Sequence, residues 1–227
     1  MNKISFIIPV LNENLFFTKQ QLYLQALLSQ GHEIIIVDGG SKDDAHLAAE
    51  KIGCKCIQTK ASRGFQLHSG ANASSHNILV FLHADTILPL NAINLIDESL
   101  NQAPAYWGRF DVAFTNKKLI FKVIAWFMNK RSCLTSIVTG DQTLFIKRNV
   151  YFDNGGFADL PLMEDIEFSK RLKHHSKPIC INETVLTSSR KWEQHGIFRT
   201  IVLMWRLRLQ FFLGVPAEQL ARSYYSK

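Results

Sequence analysis

The segment ILVFLHADTILP, residues 78–89, decides the fold that this sequence predicts. Its first five residues, 78–82, are all apolar and predict a strand that is buried on both faces. His83 and Asp85 follow where this strand is expected to end, and Pro89 comes shortly after. Ligands of open parallel sheets bind beyond the carboxyl ends of the strands. We therefore expect a binding site at this edge of the sheet.

The residues before this segment alternate between strand and helix patterns. Strands are predicted at 4–10, 33–38, 54–59 and 78–85, and helices at 15–30, 42–52 and 64–75. The strands are rich in apolar and β-branched residues along their whole length, so each should be covered on both faces. Apolar strands separated by helices indicate an α/β fold with a doubly wound, parallel sheet.

The pattern changes after residue 90. Helices are predicted at 91–101, 117–130, up to about 173 and at 196–213, strands at 106–114 and 178–186, and a loop at 154–165. No repeat, low-complexity tract or linker composition interrupts the chain. We therefore predict a single domain, residues 1–227.

The composition is that of a folded, basic protein. Of the 227 residues, 47% are hydrophobic and 20% are charged, which argues against disorder. The net charge of +7 is compatible with phosphate-bearing ligands, anionic membrane surfaces or nucleic acid. Because the basic residues are dispersed and no block of about five or more consecutive Lys and Arg residues occurs, we predict no nucleic-acid partner.

The cysteines and the absence of apolar spans predict a cytoplasmic location. Cys54, Cys56, Cys133 and Cys180 show neither CxxC nor zinc-site spacing and predict reduced thiols. The N-terminal apolar run is too short for a secretory signal, and no stretch of about 18 uncharged apolar residues predicts a membrane span. Association with the inner face of the membrane is the alternative to a free cytoplasmic protein.

Polar residues follow three of the predicted strands. Glu13 comes after the first strand, Asp38 ends the second, and His83 and Asp85 follow the fourth. Since the carboxyl ends of parallel strands meet at one edge, these side chains should project into one crevice. Each residue taken alone also suits a helix N-cap or a packed side chain, and that alternative stays open.

Asp85 is suited to bind a divalent cation. A carboxylate oxygen is a ligand that Mg²⁺ and Mn²⁺ prefer, and such a metal can hold a diphosphate. His83 would be a second ligand or a hydrogen-bond donor to phosphate. In SRGFQLHSGAN, residues 62–72, Arg63 and Gln66 lie at a predicted helix start, which favours an anion. A solvated arginine on a packing helix is the alternative.

Six segments, in this order, resemble the motifs of family-2 glycosyltransferases: FIIPVLNE, IIIVDGGSKD, ASRGFQLHSGA, FLHADT, GDQ and LPLMEDIEFSKRL. The likeness extends over nearly the whole chain and is greatest to small, soluble, bacterial-type members that contain FLHADT. It implies the GT-A fold, with a Rossmann-like, mostly parallel sheet flanked by helices and a C-terminal acceptor-side region. It also implies a nucleotide-binding half, residues 1–90, and an acceptor and catalytic half, residues 91–227.

The resemblance implies a reaction as well as a fold. The implied activity is inverting transfer of a sugar from a nucleotide-diphosphate donor, with uridine favoured, to an unidentified hydroxyl acceptor, assisted by Mg²⁺ or Mn²⁺. Asp165 matches the family's catalytic base, and Asp85 matches its metal-binding aspartate. The implied nucleotide-sugar ligands are Pro9, Glu13, Asp38, Arg63, Gln66 and His83. The implied residues on the acceptor or diphosphate side are Asp141, Gln142, Glu164, Arg190 and Trp192.

Two segments depart from the family pattern. His83 stands where the first aspartate of the D-x-D signature is usual, which leaves one carboxylate for a metal. In SSRKWEQHG, residues 188–196, Lys191 precedes Trp192, and Ser188 stands where the family element has glutamine. Processive polymerisation is therefore not implied.

Other functions stay open at this point. A sugar-phosphate nucleotidyltransferase would share the α/β frame, although its Gly-rich N-terminal loop is absent from PVLNENLFF, residues 9–17. A non-catalytic nucleotide-sugar-binding protein would bind the donor without turnover. The DGGS segment, residues 38–41, is of neither the GxGxxG nor the Walker type, which argues against dinucleotide oxidoreductases and P-loop enzymes. Glu164 and Asp165 would also suit a helix N-terminus with no catalytic role.

The C-terminal segment 197–213 combines large apolar residues with Arg199, Arg206 and Arg208. Three roles are compatible with that composition: peripheral contact with a membrane, packing over the sheet, or contact within a homodimer.

Overall fold

The computed structural model describes residues 2–102, 104 and 106–225. Within them, eight strands form one sheet, accompanied by ten α-helices and one 3₁₀ helix.

The first half of the chain forms a parallel sheet. Its strands are β1 (Ile4–Val10), β2 (Glu33–Asp38), β3 (Lys55–Gln58) and β4 (Ile78–Phe81), and its helices are α1 (Asn14–Ser29), α2 (Ala45–Ile52) and α3 (Arg63–Asn72). The strands pair in parallel in the order β3-β2-β1-β4. Phe6 and Ile8 of β1 pack on one face of the sheet, and Ile7 packs with Leu67 of α3 on the other. Burial on both faces explains the uniformly apolar strands and confirms the predicted α/β fold.

The second half extends the same sheet. Its strands are β5 (Thr86–Ile87), β6 (Trp107–Phe114), β7 (Leu144–Lys147) and β8 (Ile179–Thr187). Its helices are α4 (Ala92–Asn101), α5 (Leu119–Thr135), the 3₁₀ helix Gly140–Gln142, α6 (Arg148–Asp153), α7 (Glu164–Leu172), α8 (Arg190–His195), α9 (Ile197–Phe212) and α10 (Ala217–Tyr225). The full strand order is β3-β2-β1-β4-β7-β6-β8-β5. Since β7 is antiparallel to β4 and β6 while β8 is parallel to β6, the sheet is mixed but mostly parallel, as predicted.

The strand predicted at 78–85 is shorter than expected and ends at Phe81. The Leu82 N–H still donates to the Ile7 carbonyl (3.0 Å), but the chain then turns, and the Thr86 N–H donates to the His83 carbonyl (3.0 Å). His83 and Asp85 therefore lie in a turn between β4 and β5 and not on a strand.

Helix α10 is an element that the sequence analysis did not predict. It starts directly after Pro216, and its Leu220 lies in one apolar cluster with Met163 and Leu207. This packing brings the C-terminal helix close to the start of α7, where the predicted catalytic Asp165 lies.

The prediction of four reduced thiols is wrong for two of them. Cys133 of α5 and Cys180 of β8 form a disulfide, with their Cα atoms 6.1 Å apart. The two residues are separated by 47 positions, so their spacing gave no sign of the pairing. Cys54 and Cys56 remain thiols. Because disulfides are rare in the cytoplasm, the cytoplasmic prediction loses one of its supports.

Replacing both Cys133 and Cys180 by Ser is expected to lower the free energy of unfolding by about 2–4 kcal/mol, because the closed loop restricts the unfolded chain. Urea denaturation with and without a reductant measures this effect. Reductant should destabilise the parent but not the double variant, and Cys56→Ser serves as the control. Equal stability of the parent in both conditions would show that the bond does not form.

Candidate functional site

Three strand ends meet at one edge of the sheet, as the sequence predicted. In the β1–β2 pair Val10 lies opposite Asp38, and in the β1–β4 pair Ile7 lies opposite Phe81. The segments that follow β1, β2 and β4 therefore start side by side. They contain Glu13, the end of β2, and the turn with His83 and Asp85.

Asp38 holds the turn that follows β2. Its side chain is buried, and its Oδ1 accepts hydrogen bonds from the backbone N–H groups of Gly40 (3.1 Å) and Ser41 (2.8 Å) and from the Ser41 hydroxyl (2.6 Å). Oδ2 takes part in no hydrogen bond within the described part of the chain. One carboxylate oxygen thus shapes the loop, and the other is available to a ligand.

The loops after β1 and β2 are joined by reciprocal hydrogen bonds. The Asn12 N–H donates to the Ser41 hydroxyl (2.9 Å), and the Lys42 N–H donates to Asn12 Oδ1 (2.8 Å). Asn12 itself has a φ of 58°, in the left-handed region that asparagine tolerates better than most residues. These contacts fix the position of Glu13, the next residue.

Glu13 lies among charged groups from three other segments. Burial raises the pKa of its carboxyl; Arg190 opposes this shift, and the negative charges of Asp85 and Asp43 add to it. Glu13, Arg190 and Asp85 therefore share one electrostatic environment, although they follow β1, β8 and β4.

Gln66 has a different place from the one predicted. It is buried, and its side-chain amide donates to the backbone carbonyls of Val10 (3.2 Å) and Val37 (2.8 Å). The amide nitrogen is therefore engaged by the protein itself, and we reassign Gln66 from donor binding to holding the ends of β1 and β2 together. Pro9, half-buried in β1, lies opposite Val37 of β2.

Arg63, at the start of α3, contacts two segments of the site. Its guanidinium donates to Nε2 of His83, and its Nε lies 3.3 Å from Oε1 of Glu164. Because arginine can only donate, His83 accepts at Nε2, and the proton of the neutral ring is assigned to Nδ1. That nitrogen lies 3.3 Å from Oδ1 of Asp141.

His83 therefore links Arg63 to Asp141. Both ring nitrogens face protein groups, so the ring offers no free nitrogen to a metal in this arrangement. Gly140 permits the contact, since a Cβ atom there would overlap the His83 ring. The residue that departs from the family signature is thus packed against the GDQ segment, residues 140–142.

Gln142 and Asp141 of that segment have different surroundings. Gln142 is fully buried, and its Nε2 donates to the Ser132 hydroxyl (2.8 Å) and to Asn129 Oδ1 (3.3 Å). These bonds attach the 3₁₀ helix to α5, so Gln142 is a structural residue and not an exposed ligand.

The side chain of Asp141 is 42% exposed. Burial opposes its ionisation, but His83, Arg63 and Arg208 outweigh that effect and lower the pKa of Asp141.

The start of α7 presents two adjacent carboxylates. Asp165 is half-buried, its Oδ2 accepts from the Gly140 N–H (2.9 Å), and its Oδ1 accepts from the Ile166 N–H (2.7 Å). Glu164 is buried against Arg63. Burial and the charge of Asp165 raise the pKa of Glu164 to about 7, against the effect of Arg63. The two carboxylates thus differ in exposure and in environment.

Two residues of α8, Arg190 and Trp192, were predicted to lie on the acceptor or diphosphate side of the site. Trp192 packs edge-on against Phe114, with ring centroids 5.6 Å apart, and belongs to an apolar cluster beside α5. It is therefore a packing residue in this structure. Arg190 is exposed at the start of α8.

Lys191 and Tyr224 were missed as site residues. The Lys191 ammonium donates to the Tyr224 hydroxyl and lies 3.7 Å from the centroid of its ring. Partial burial and Arg63 lower the pKa of Lys191, against the opposing charges of Asp141 and Asp85. Lys191 and α10 therefore lie beside the cluster around Arg63. The unpredicted position of α10 explains why sequence reasoning missed the pair.

Asp85 is the residue that the sequence predicted as a metal ligand. Its side chain is exposed and makes no hydrogen bond or ion pair within the described ranges. Among those residues, no group of three or more His, Cys, Asp or Glu side chains could hold a metal ion. One carboxylate nevertheless fits Mg²⁺, which is commonly bound by one or two carboxylates together with substrate phosphates. The residues thus suit a metal that is held jointly with a diphosphate.

Comparison with known proteins identifies the family and the fold of this chain. The model of glycosyl transferase family 2 matches residues 5–158. No curated protein matches the sequence. Residues 1–349 of S. aureus TarS have a similar structure, with a TM-score of 0.65 and 15% identity over 82% of this chain and 60% of that one. This chain therefore spans only 60% of the TarS structure.

A second similar structure comes from Mycobacterium tuberculosis. Its glucosyl-3-phosphoglycerate synthase, in complex with Mn²⁺, UDP and phosphoglyceric acid, has a TM-score of 0.65 and 18% identity over 95% of this chain and 80% of that one. TarS is also known in complex with UDP-GlcNAc. At these identities the likeness shows a shared fold.

Replacing Gly140 by Ala tests the contact between the 3₁₀ helix and His83. The added methyl group overlaps the imidazole, so Gly140→Ala should lower the free energy of unfolding by about 1–3 kcal/mol. In a His83→Ala background the ring is gone, and the same substitution should cost a small fraction of that amount. Urea denaturation of the four proteins of this double-mutant cycle gives both values. An equal cost in both backgrounds would refute the contact.

Proposed function

The chain belongs to glycosyl transferase family 2, and we propose that it transfers a sugar, with inversion, from a nucleotide-diphosphate donor to a hydroxyl acceptor. The observation that supports this most strongly is the convergence of Asp38, Asp85 and Asp165 with Arg63 and Lys191 at one edge of the sheet. This set provides groups for a nucleoside, for a diphosphate and for a proton transfer.

The nucleoside would lie over the ends of β1 and β2. Oδ2 of Asp38 is available to accept hydrogen bonds from the base, and Glu13 would contact the ribose. Pro9 would lie beneath, within β1. A uridine donor is favoured because the similar synthase structure contains UDP and the TarS structure contains UDP-GlcNAc.

The diphosphate would lie between the cations and Asp85. Each of three cations lies close enough to a carboxylate of the site to interact with its charge. Arg63 interacts with Glu164, Lys191 with Asp141 and Asp85, and Arg190 with Glu13. They would stabilise the negative charge that develops on the leaving diphosphate. A divalent metal, when bound at Asp85, would supply Lewis-acid stabilisation of the same charge.

Asp165 would serve as the general base. In one displacement, the acceptor oxygen forms its bond to the anomeric carbon while the bond to the diphosphate oxygen breaks, and the acceptor proton passes to Asp165. The hydrogen bonds from the Gly140 and Ile166 N–H groups orient the carboxylate and stabilise its charge. Glu164, buried against Arg63, would position that arginine and take no part in the proton transfer.

The proposed reaction does not depend on the cellular location or the oligomeric state of the protein. No helix within the described ranges is long and apolar enough to cross a membrane. The cytoplasmic location and the homodimer that the sequence analysis considered stay predictions.

Nucleotide binding tests the donor site. We expect UDP at about 100 times its dissociation constant to add about 2.7 kcal/mol to the free energy of unfolding, and more with Mn²⁺ present. Thermal shift with UDP, GDP and CDP, each with and without Mn²⁺, measures this stabilisation. In Asp85→Asn the metal-dependent part should disappear. Glu98→Gln, an exposed carboxylate on α4, is the matched control. Absence of stabilisation by every nucleotide would contradict the proposal.

A further inference from the structure

The start of α9 packs against α5 on the outside of the protein. Phe121 and Ile124 of α5 belong to an apolar cluster against which Ile197 and Ile201 of α9 pack. This contact uses one side of each helix. The opposite sides of the two helices are not covered by the rest of the described chain.

The uncovered side of α9 is a continuous apolar row. Its members follow the spacing i, i+4, i+7, i+11 and i+14, which places them on one face of the helix. They are Phe198, Val202, Trp205, Leu209 and Phe212, and their exposed fractions are 78%, 66%, 73%, 59% and 75%. A row of this length differs from the single exposed apolar residues that are normal on protein surfaces.

Helix α5 presents a second exposed apolar row. Its exposed apolar residues are Leu119, Val123, Trp126, Phe127 and Leu134, with exposed fractions of 75%, 42%, 55%, 62% and 85%. We call the two rows together the α5–α9 face. Two tryptophans and three phenylalanines lie on it, and these side chains favour the interface between lipid and water when placed on an amphipathic helix.

The two helices carry positive charge and no negative charge. Helices α5 and α9 hold six Lys and Arg residues and no Asp or Glu. Lys117 and Lys118 come directly before α5, whereas Glu193 comes before α9 and Glu218 after it. The exposed cations of the two helices and of the residues before α5 are Lys117, Lys118, Lys122, Lys130, Arg199 and Arg206.

We propose that the α5–α9 face docks on a membrane surface that contains anionic lipids. The aromatic rows would enter the headgroup region, and the surrounding cations would bind lipid phosphates. A shallow depression lined by Phe198, Arg199, Val202, Leu203 and Arg206 places two arginines beside apolar side chains, a combination that suits a phosphate group attached to an acyl chain.

Charge favours a membrane over a second copy of the chain. A symmetric dimer through the α5–α9 face would bring the same cations of both copies together, and neither α5 nor α9 contains an acidic residue to pair with them. An anionic lipid surface pairs with all of them. This proposal is independent of the donor chemistry, so its failure and that of the proposed function are distinguishable.

Vesicle flotation at physiological salt tests the proposal. The probes are vesicles of phosphatidylcholine alone and of phosphatidylcholine with about 30% phosphatidylglycerol, enough to give the surface a negative potential. We expect binding to the anionic vesicles that is at least about tenfold stronger than to the neutral ones. Absence of binding to the anionic vesicles by the folded protein would overturn the proposal.

Two variants separate the apolar and the electrostatic contributions. Trp205→Ser with Phe212→Ser, and Arg199→Gln with Arg206→Gln, change exposed side chains and should each weaken binding about tenfold or more. Lys19→Gln with Leu22→Ser makes similar changes on the exposed side of α1 and should leave binding unchanged. Melting curves check that each variant is folded.

Two further outcomes would refute membrane docking. One is equal binding by the Trp205→Ser/Phe212→Ser variant and the parent. The other is a dimer in sedimentation that this variant converts to a monomer, without any vesicle binding by the parent, which would assign the face to a second copy of the chain.

Discussion

Arg63 connects segments that are far apart in the sequence. From the start of α3 its guanidinium donates to His83, in the turn after β4, and pairs with Glu164 at the start of α7. Burial lowers the pKa of Arg63, but Glu164, Asp141 and Asp165 more than compensate and raise it. Glu164 is buried, and a buried carboxylate without such a partner would be costly. Phe168 and Leu172 anchor α7 in the core, and this ion pair together with the bond between Asp165 and the Gly140 N–H attaches its first turn to the site.

The same contacts explain how one histidine can replace an aspartate of the D-x-D signature. His83 contacts Arg63 on one side and Asp141 on the other, and Gly140 leaves the space that the ring needs. A negative charge at position 83 would lie beside Asp141, so histidine avoids a repulsion between two carboxylates. The site retains Asp85 as its exposed carboxylate, and Lys191 adds a cation near it. Histidine at position 83 thus adds contacts with Arg63 and Asp141 that hold the site together, and Asp85 remains exposed.

The sequence predicted the parallel half of the fold well, because strands buried on both faces leave an unambiguous apolar pattern. It also located the edge at which the segments after β1, β2 and β4 start side by side, since that follows from strand direction alone. The disulfide, the Lys191–Tyr224 contact and the position of α10 could not be predicted, because each depends on packing between distant segments. Gln66 and Gln142 were predicted to bind ligands because the position of a residue in a motif does not reveal its burial. The fold shows that both side-chain amides donate hydrogen bonds within the protein.

Asp165 is proposed to take the proton from the acceptor during sugar transfer. The most direct test is the release of free UDP from a panel of UDP-sugars with Mn²⁺, using water and simple alcohols as acceptors, by the parent and by Asp165→Asn. We expect metal-dependent release by the parent and a rate about 10²–10⁴-fold lower in the variant, with nucleotide binding retained. Full turnover by Asp165→Asn, or nucleotide binding by the parent without release from any UDP-sugar, would contradict it.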